Sequence, residues 1–141
     1  MVEIYDEIMK TNLRAVVIIT SLAIPYLKLT KGNVINVSSV DSMTVKYPGL
    51  CAYGISKAGI DYFTKSMARE LGPSGVRVNA VNPGPVNTEM IEGSESEFID
   101  LTVLGRMSEA EEVGELMLFI ASDKARSITG SCYVIDNGYL L

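Results

Sequence analysis

Tyr53 and Lys57 stand four positions apart in LCAYGISKAGIDYF, residues 50 to 63. Side chains at i and i+4 share one face of a helix. An ammonium held there favours phenolate over phenol and lowers a tyrosine pKa from its usual value of about 10. The spacing therefore predicts a general acid or base working near neutral pH. A tyrosine at a helix start beside a solvated lysine is the plainer alternative, and the pair alone does not separate the two. The chain has no histidine, which removes Ser-His-Asp and Cys-His nucleophile systems and the commonest metal ligand. Its two cysteines, Cys51 and Cys132, form neither a metal spacing nor a disulfide framework, so no metal site is expected.

Two further side chains carry candidate chemistry. Ser39 closes the run NVINVSS, 14 residues before Tyr53, where its hydroxyl could meet a substrate oxygen or serve as an ordinary turn cap. Asn12, in KTNLRAV, is a poor helix former inside a helical stretch and reads otherwise as a surface or bend residue.

The elements that must position these residues alternate. Apolar residues at Ile4, Ile8, Leu13, Val16, Val17, Ile19 and Leu22 predict a helix over 2–29, bent or weakened near Pro25 and stopped by KGN. NVINVSS reads as a buried parallel strand leaving the sheet at Ser38 or Ser39. After a turn region over 41–50, a second helix covers roughly 52–71 and is stopped by GPSG. VRVNAVNPG repeats the strand design, and 85–107 reads as an irregular, mobile loop. Ser108 with Glu111 has the spacing of a capping box and predicts a third helix ending around Ser122, before the strand SCYVID.

Three strands alternating with three main helices predict an α/β fold with parallel strands and right-handed crossovers. Ligands of such sheets sit beyond the carboxyl ends of the strands. Here those ends are Ser38-Ser39, Asn82-Pro83-Gly84 and Asp136-Asn137-Gly138.

Composition bounds the rest. The chain has 141 residues, 48% of them hydrophobic and 21% charged, which suits one globular domain. A formal charge of -5 without a Lys or Arg cluster argues against a nucleic-acid surface. The apolar run Ala15 to Leu27 falls short of the roughly 20 residues a bilayer requires and is expected to be a core helix, with no membrane partner. No leader-like segment opens the chain, so a reducing cytosol is the expected compartment.

Taken in order, TNLRAV, GNVINVSS, YGISKAG, VRVNAVNPGPVNT and the closing stretch GRMSEAEEVGELMLFIASDKARSITGSCYVIDNG resemble the short-chain dehydrogenase/reductase family over nearly the whole chain. The resemblance implies a partial Rossmann-like, doubly wound sheet and NAD or NADP as cofactor. It makes Tyr53 the acid/base on the oxygen of an alcohol or carbonyl substrate during hydride transfer. Lys57 would lower the Tyr53 pKa and bond the nicotinamide ribose, Ser39 would polarise the substrate carbonyl, and Asn12 would hold a water linking Lys57 to a proton relay. Around the nicotinamide it places Pro83 and Gly84 by close backbone approach, Val86 near the carboxamide and Thr88 near the diphosphate. A dimer or tetramer through the first two helices and the last helix with its strand is likewise implied. The stretch 89–107 falls where the family keeps its substrate loop, with Met90 and Phe98 as conceivable contacts, and reads equally well as a solvated loop.

Departures from the pattern are also visible. The family's glycine-rich phosphate turn, ribose-reading residue and N-N-A-G strand end have no counterpart in these residues. IDNG differs from the usual closing motif, and the Ser39 to Tyr53 spacing is one residue longer than the commonest. The chain is therefore expected to be the C-terminal catalytic portion of such a domain over 1–141. The alternative is a non-catalytic form that acts as an oligomerisation or interaction module. In either case an uncovered sheet edge and apolar side chains beside the serine strand are expected.

Overall fold

The computed structural model describes residues 1–91, 93 and 95–141. Its helices are α1 (Val2–Ile8), α2 (Ala15–Thr30), α3 (Cys51–Leu71), α4 (Glu95–Ile99) and α5 (Ala110–Ala121); its strands are β1 (Asn33–Val37), β2 (Arg77–Pro83) and β3 (Cys132–Ile135). The strands form one parallel sheet in the order β1-β2-β3. In register, Val37 faces Val81 and Pro83 faces Ile135, so the three carboxyl ends meet at one edge as the topology requires.

The pleat sends alternate side chains to opposite faces, and the two apolar clusters follow it. Val34 and Val78 pack with Ile24 and Leu27 of α2 and with Met67, Ala68 and Leu71 of α3. On the other face Ile35, Val81, Tyr133 and Ile135 pack with Val113, Leu116, Met117 and Ile120 of α5. The sheet is thus doubly wound. Because β1, β2 and β3 step in one direction while α3 and α5 lie on opposite faces, the two crossovers have opposite hands, which corrects the expectation of uniformly right-handed ones.

The described part of the 84–109 connection carries more regular structure than its composition suggests. It includes a 3-10 turn at Glu89–Ile91 and the short α4. The capping box of α5 is also one residue later than expected, Glu109 with Glu112. Ser108 is spent elsewhere: its N–H donates to the Pro85 carbonyl at 3.0 Å, its carbonyl accepts from Asn87 N–H at 2.8 Å, and its hydroxyl accepts from Asn137 Nδ2 at 2.9 Å.

The first helical run differs most from expectation. It passes through Pro25, and its interruption is a π turn at Met9–Arg14, the segment bearing Asn12. From Val2 to Thr30 it is helical over 29 residues, long and apolar enough by length and composition to cross a bilayer, so the shorter apolar run understated it. Its contacts tie it to the sheet through Ile24 and Leu27. Yet Thr20 is the buried residue of α2, and the helix is not the core helix expected. Ile19, Leu22, Tyr26 and Leu29, spaced as a helical stripe, are 67% to 83% exposed. β1 pairs with β2 alone, and its Val37 is exposed as well.

An apolar stripe of this extent beside an unpaired strand edge favours association. The 141-residue chain is expected to sediment as a dimer or larger species at micromolar concentration, and Leu22→Glu with Tyr26→Glu is expected to shift it toward monomer. A monodisperse wild-type monomer in ultracentrifugation would contradict this.

Candidate active site

The end of β1 and the start of α3 are joined by reciprocal hydrogen bonds. Ser38 Oγ donates to the Lys57 carbonyl at 3.0 Å, and Lys57 Nζ donates to the Val37 carbonyl at 3.0 Å. The next residue, Ser39, is extended at φ -163° and caps the short turn Val40–Ser42, its hydroxyl accepting from Asp41 N–H at 3.1 Å. This turn approaches α3 closely at Gly54, where a Cβ would lie 2.9 Å from the Asp41 carbonyl oxygen. One turn on, a Cβ at Gly59 would lie 2.7 Å from Leu13 Cδ2 of the π segment. The two glycines of YGISKAG therefore let the serine turn and the asparagine segment close on the tyrosine helix.

These contacts gather the site residues unevenly. Ser39, Tyr53, Lys57, Pro83, Gly84, Val86 and Thr88 line one cleft of about 660 Å³ at the carboxyl edge of the sheet. Asn12 does not line it. Its Nδ2 donates to Ser56 Oγ at 3.0 Å, and that buried hydroxyl donates to the Tyr53 carbonyl at 2.7 Å, which leaves Asn12 behind α3. Gly84 does meet a close neighbour, but it is this chain's own Asp136: a Cβ at Gly84 would fall 2.7 Å from Asp136 Cβ and 2.8 Å from its Cα. Glycine at 84 is thus required by the junction with β3. Thr88 is exposed, its hydroxyl donating to the Val86 carbonyl at 3.3 Å.

The electrostatics correct one expectation outright. Burial pushes the Tyr53 phenol above its ordinary pKa; a hydrogen bond with Ser39 pulls it down, and the Asp41 carboxylate pushes it up again. Lys57 is not among the groups that move it. The ammonium stands 5.4 Å from the Tyr53 ring centroid and is spent on the Val37 carbonyl. Burial lowers the Lys57 pKa, and the charge opposing that fall is Asp61.

Several residues of the site escaped the reading of the sequence. Asp61 lies one turn beyond Lys57 and is buried; its carboxylate accepts from Asn82 Nδ2 at 2.9 Å and lies 2.6 Å from the Ser42 hydroxyl. Asn82 Nδ2 also reaches the Ser39 carbonyl at 3.2 Å. Tyr139, 2% exposed, lines the cleft under Lys46, whose ammonium is 4.2 Å from the ring centroid; burial, first, with Asp41 and Tyr47, pushes the Tyr139 phenol up to about 12. Asp41, Tyr47 and Phe98 line the cleft too, whereas the Met90 side chain lies outside those described. The i+4 step from Lys57 to Asp61 was a usable signal; nothing local marked Tyr139.

Comparison with known proteins places this arrangement. The family profile described as enoyl-(acyl carrier protein) reductase matches residues 2–140. The chain is 37% identical over 144 residues to a 3-oxoacyl-[acyl-carrier-protein] reductase of Thermotoga maritima, covering 99% of this chain and 58% of that protein. It is 38% identical over 144 residues to a cyclopentanol dehydrogenase of Comamonas, covering 97% of this chain and 57% of the relative. The structure of 4-hydroxyisoleucine dehydrogenase complexed with NADH superposes with a TM-score of 0.90 at 29% identity, over 97% of this chain and 59% of that one. The chain belongs to the short-chain dehydrogenase/reductase family and spans somewhat over half the length of these relatives.

The glycine contacts give a graded prediction. Gly54→Ala sets a Cβ against main chain and is expected to cost about 1–3 kcal/mol, whereas Gly59→Ala meets the end of a leucine side chain and should cost less. Equal losses in urea denaturation would contradict the argument.

Proposed function

We propose that this chain is the catalytic portion of an NAD(P)-dependent oxidoreductase that interconverts an alcohol and a carbonyl compound. The observation that carries this reading is the meeting of Ser39, Tyr53 and Lys57 with the Pro83–Thr88 loop in a single cleft at the carboxyl edge of a parallel sheet. The donor set suits the nicotinamide end of a dinucleotide: in this reading Lys57 serves the ribose hydroxyls, Thr88 the diphosphate, and Pro83 and Val86 the ring, with Gly84 bordering it from the junction with β3. A bound nicotinamide supplies hydride transfer. Ser39 then holds the substrate oxygen, and Tyr53 gives that oxygen a proton in reduction or takes one in oxidation. The raised phenol is a proton donor at neutral pH, which suits the reductive direction of this cleft. Asn12 positions the tyrosine helix through Ser56, and holding a relay water is its second role in this reading.

A second reading, an oligomerisation module without turnover, draws support from the exposed stripe on α2. The two readings agree on self-association and part on activity. Tyr53→Phe separates them: in the longest natural product containing these residues it is expected to lower kcat about a hundredfold or more without loss of the fold. Unchanged turnover would remove Tyr53 from the chemistry, and absence of NAD(H) and NADP(H) binding would favour the module.

The Asp41 carboxylate raises the Tyr53 pKa, so Asp41→Asn is expected to move the Tyr53 limb of the pH-rate profile to lower pH with a neutral alcohol as substrate. A limb that stays or moves to higher pH would contradict the electrostatic account.

A further inference from the structure

Among the described residues, the same cleft holds the Asp41 carboxylate among four aromatic rings. Asp41, Tyr47, Tyr53, Phe98 and Tyr139 all line it, and the rings of Tyr47 and Phe98 stand 5.4 Å apart at a tilt of 57°. Asp41 is fixed from two sides. Its N–H donates to Ser39 Oγ at 3.1 Å, and its carbonyl is closed upon by α3 at Gly54.

Among the described residues no cation answers this carboxylate. Lys57, which also lines the cleft, donates to the Val37 carbonyl and has Asp61 as its opposing charge. Lys46 is engaged by the carbonyl and ring of Tyr139. Among the described residues the ion pair within bonding distance is Arg106 with Glu112. A half-buried carboxylate without a counter-charge is costly, and a ligand that brings the cation removes that cost. Aromatic faces add attraction for a cationic nitrogen.

We propose that Asp41 selects a substrate carrying a cationic nitrogen, an amino alcohol or the matching amino ketone, with the ammonium one or two carbons from the reacting carbon. The proposal rests on the oxidoreductase reading. In that reading Ser39 holds the reacting oxygen, and the same hydroxyl accepts the Asp41 N–H within a cleft both residues line, so oxygen and nitrogen sites are neighbours. On oxidation the carbinol carbon gives its hydride to the oxidised nicotinamide and the hydroxyl gives its proton to the phenolate form of Tyr53, which becomes the phenol; reduction of the amino ketone runs the same step in reverse from the phenol. The C–O single bond becomes C=O, and the nitrogen keeps its protons and charge.

The probes are phenylethanolamine and its neutral isostere phenylpropanol, in which a methyl group replaces the ammonium. In the longest natural product, with NAD(H) or NADP(H), kcat/KM is expected to favour the amine by about tenfold or more. Asp41→Asn should bring the ratio to within about twofold, and Asp41→Glu should retain most of it. Turnover of either probe with no preference for the amine, or a preference unmoved by Asp41→Asn, overturns the proposal. If neither is turned over, the oxidoreductase reading fails for these probes and calorimetric binding decides. Tighter binding of phenylethanolamine that is lost in Asp41→Asn supports Asp41 as the ammonium site, and equal binding of the two probes overturns it.

Discussion

The arrangement depends on one two-way attachment at Lys57. Its carbonyl accepts the Ser38 hydroxyl and its ammonium donates to the Val37 carbonyl, so main chain and side chain of one residue hold the end of β1 against α3. A hydrogen bond involving a charged group contributes more than a neutral one, about 1.5–3 kcal/mol. Its larger effect here is geometric. With β1 ended at Val37, the chain must turn at Ser39, and the turn is brought onto Tyr53 by the absence of a side chain at Gly54. Lys57 is thus structural before it is anything else.

Beneath that attachment lies a polar layer in an otherwise apolar sheet-helix interface. Asn36 Nδ2 donates to Thr64 Oγ1 at 2.8 Å, and Asn82 Nδ2 reaches Asp61, Ser42 and the Ser39 carbonyl. Asn36 and Asn82 project from the face of the sheet that α3 covers, and Asp61 and Thr64 from the facing side of the helix. Asn82 Oδ1 finds no partner among the described residues, and an orphaned buried acceptor costs about 1–3 kcal/mol. An amide flip would set that oxygen against the Asp61 carboxylate, so the orientation is fixed by charge. The layer holds the Ser39 main chain in place from below, while Asp41 and Gly54 hold it from the side.

Much of this was legible in the sequence, for reasons that differ by residue. The strands were readable because β-branched runs ended at Ser and at Pro-Gly, and α3 because GPSG stopped it. Parallel order then put Ser39 and the Pro83–Thr88 loop at one edge without any knowledge of contacts. What depended on long-range partners was not readable. Ser108 looked like a cap, yet its hydroxyl belongs to Asn137, 29 positions away. Gly84 looked free to approach a ligand, yet Asp136 occupies the space. Asn12 was recognisable as out of place in a helix, but that it would sit in a π turn and bond Ser56 depended on the distance between two helices.

The sign of the Tyr53 shift shows where spacing stops being informative. Four residues of separation guarantee proximity on a helix but not which neighbour the charge serves. Tyr53, Lys57 and Asp61 form a ladder of three at i, i+4 and i+8, and the middle rung faces both ways. Lys57 directs its proton to the Val37 carbonyl and its charge is matched by Asp61, while loss of water raises the phenol and lowers the ammonium together. Burial therefore moves the two proton affinities in opposite directions and leaves the proton on Tyr53. The ladder links the cleft to the buried Asp61-Asn82 layer, so a charge brought into the cleft is felt by groups that never touch it.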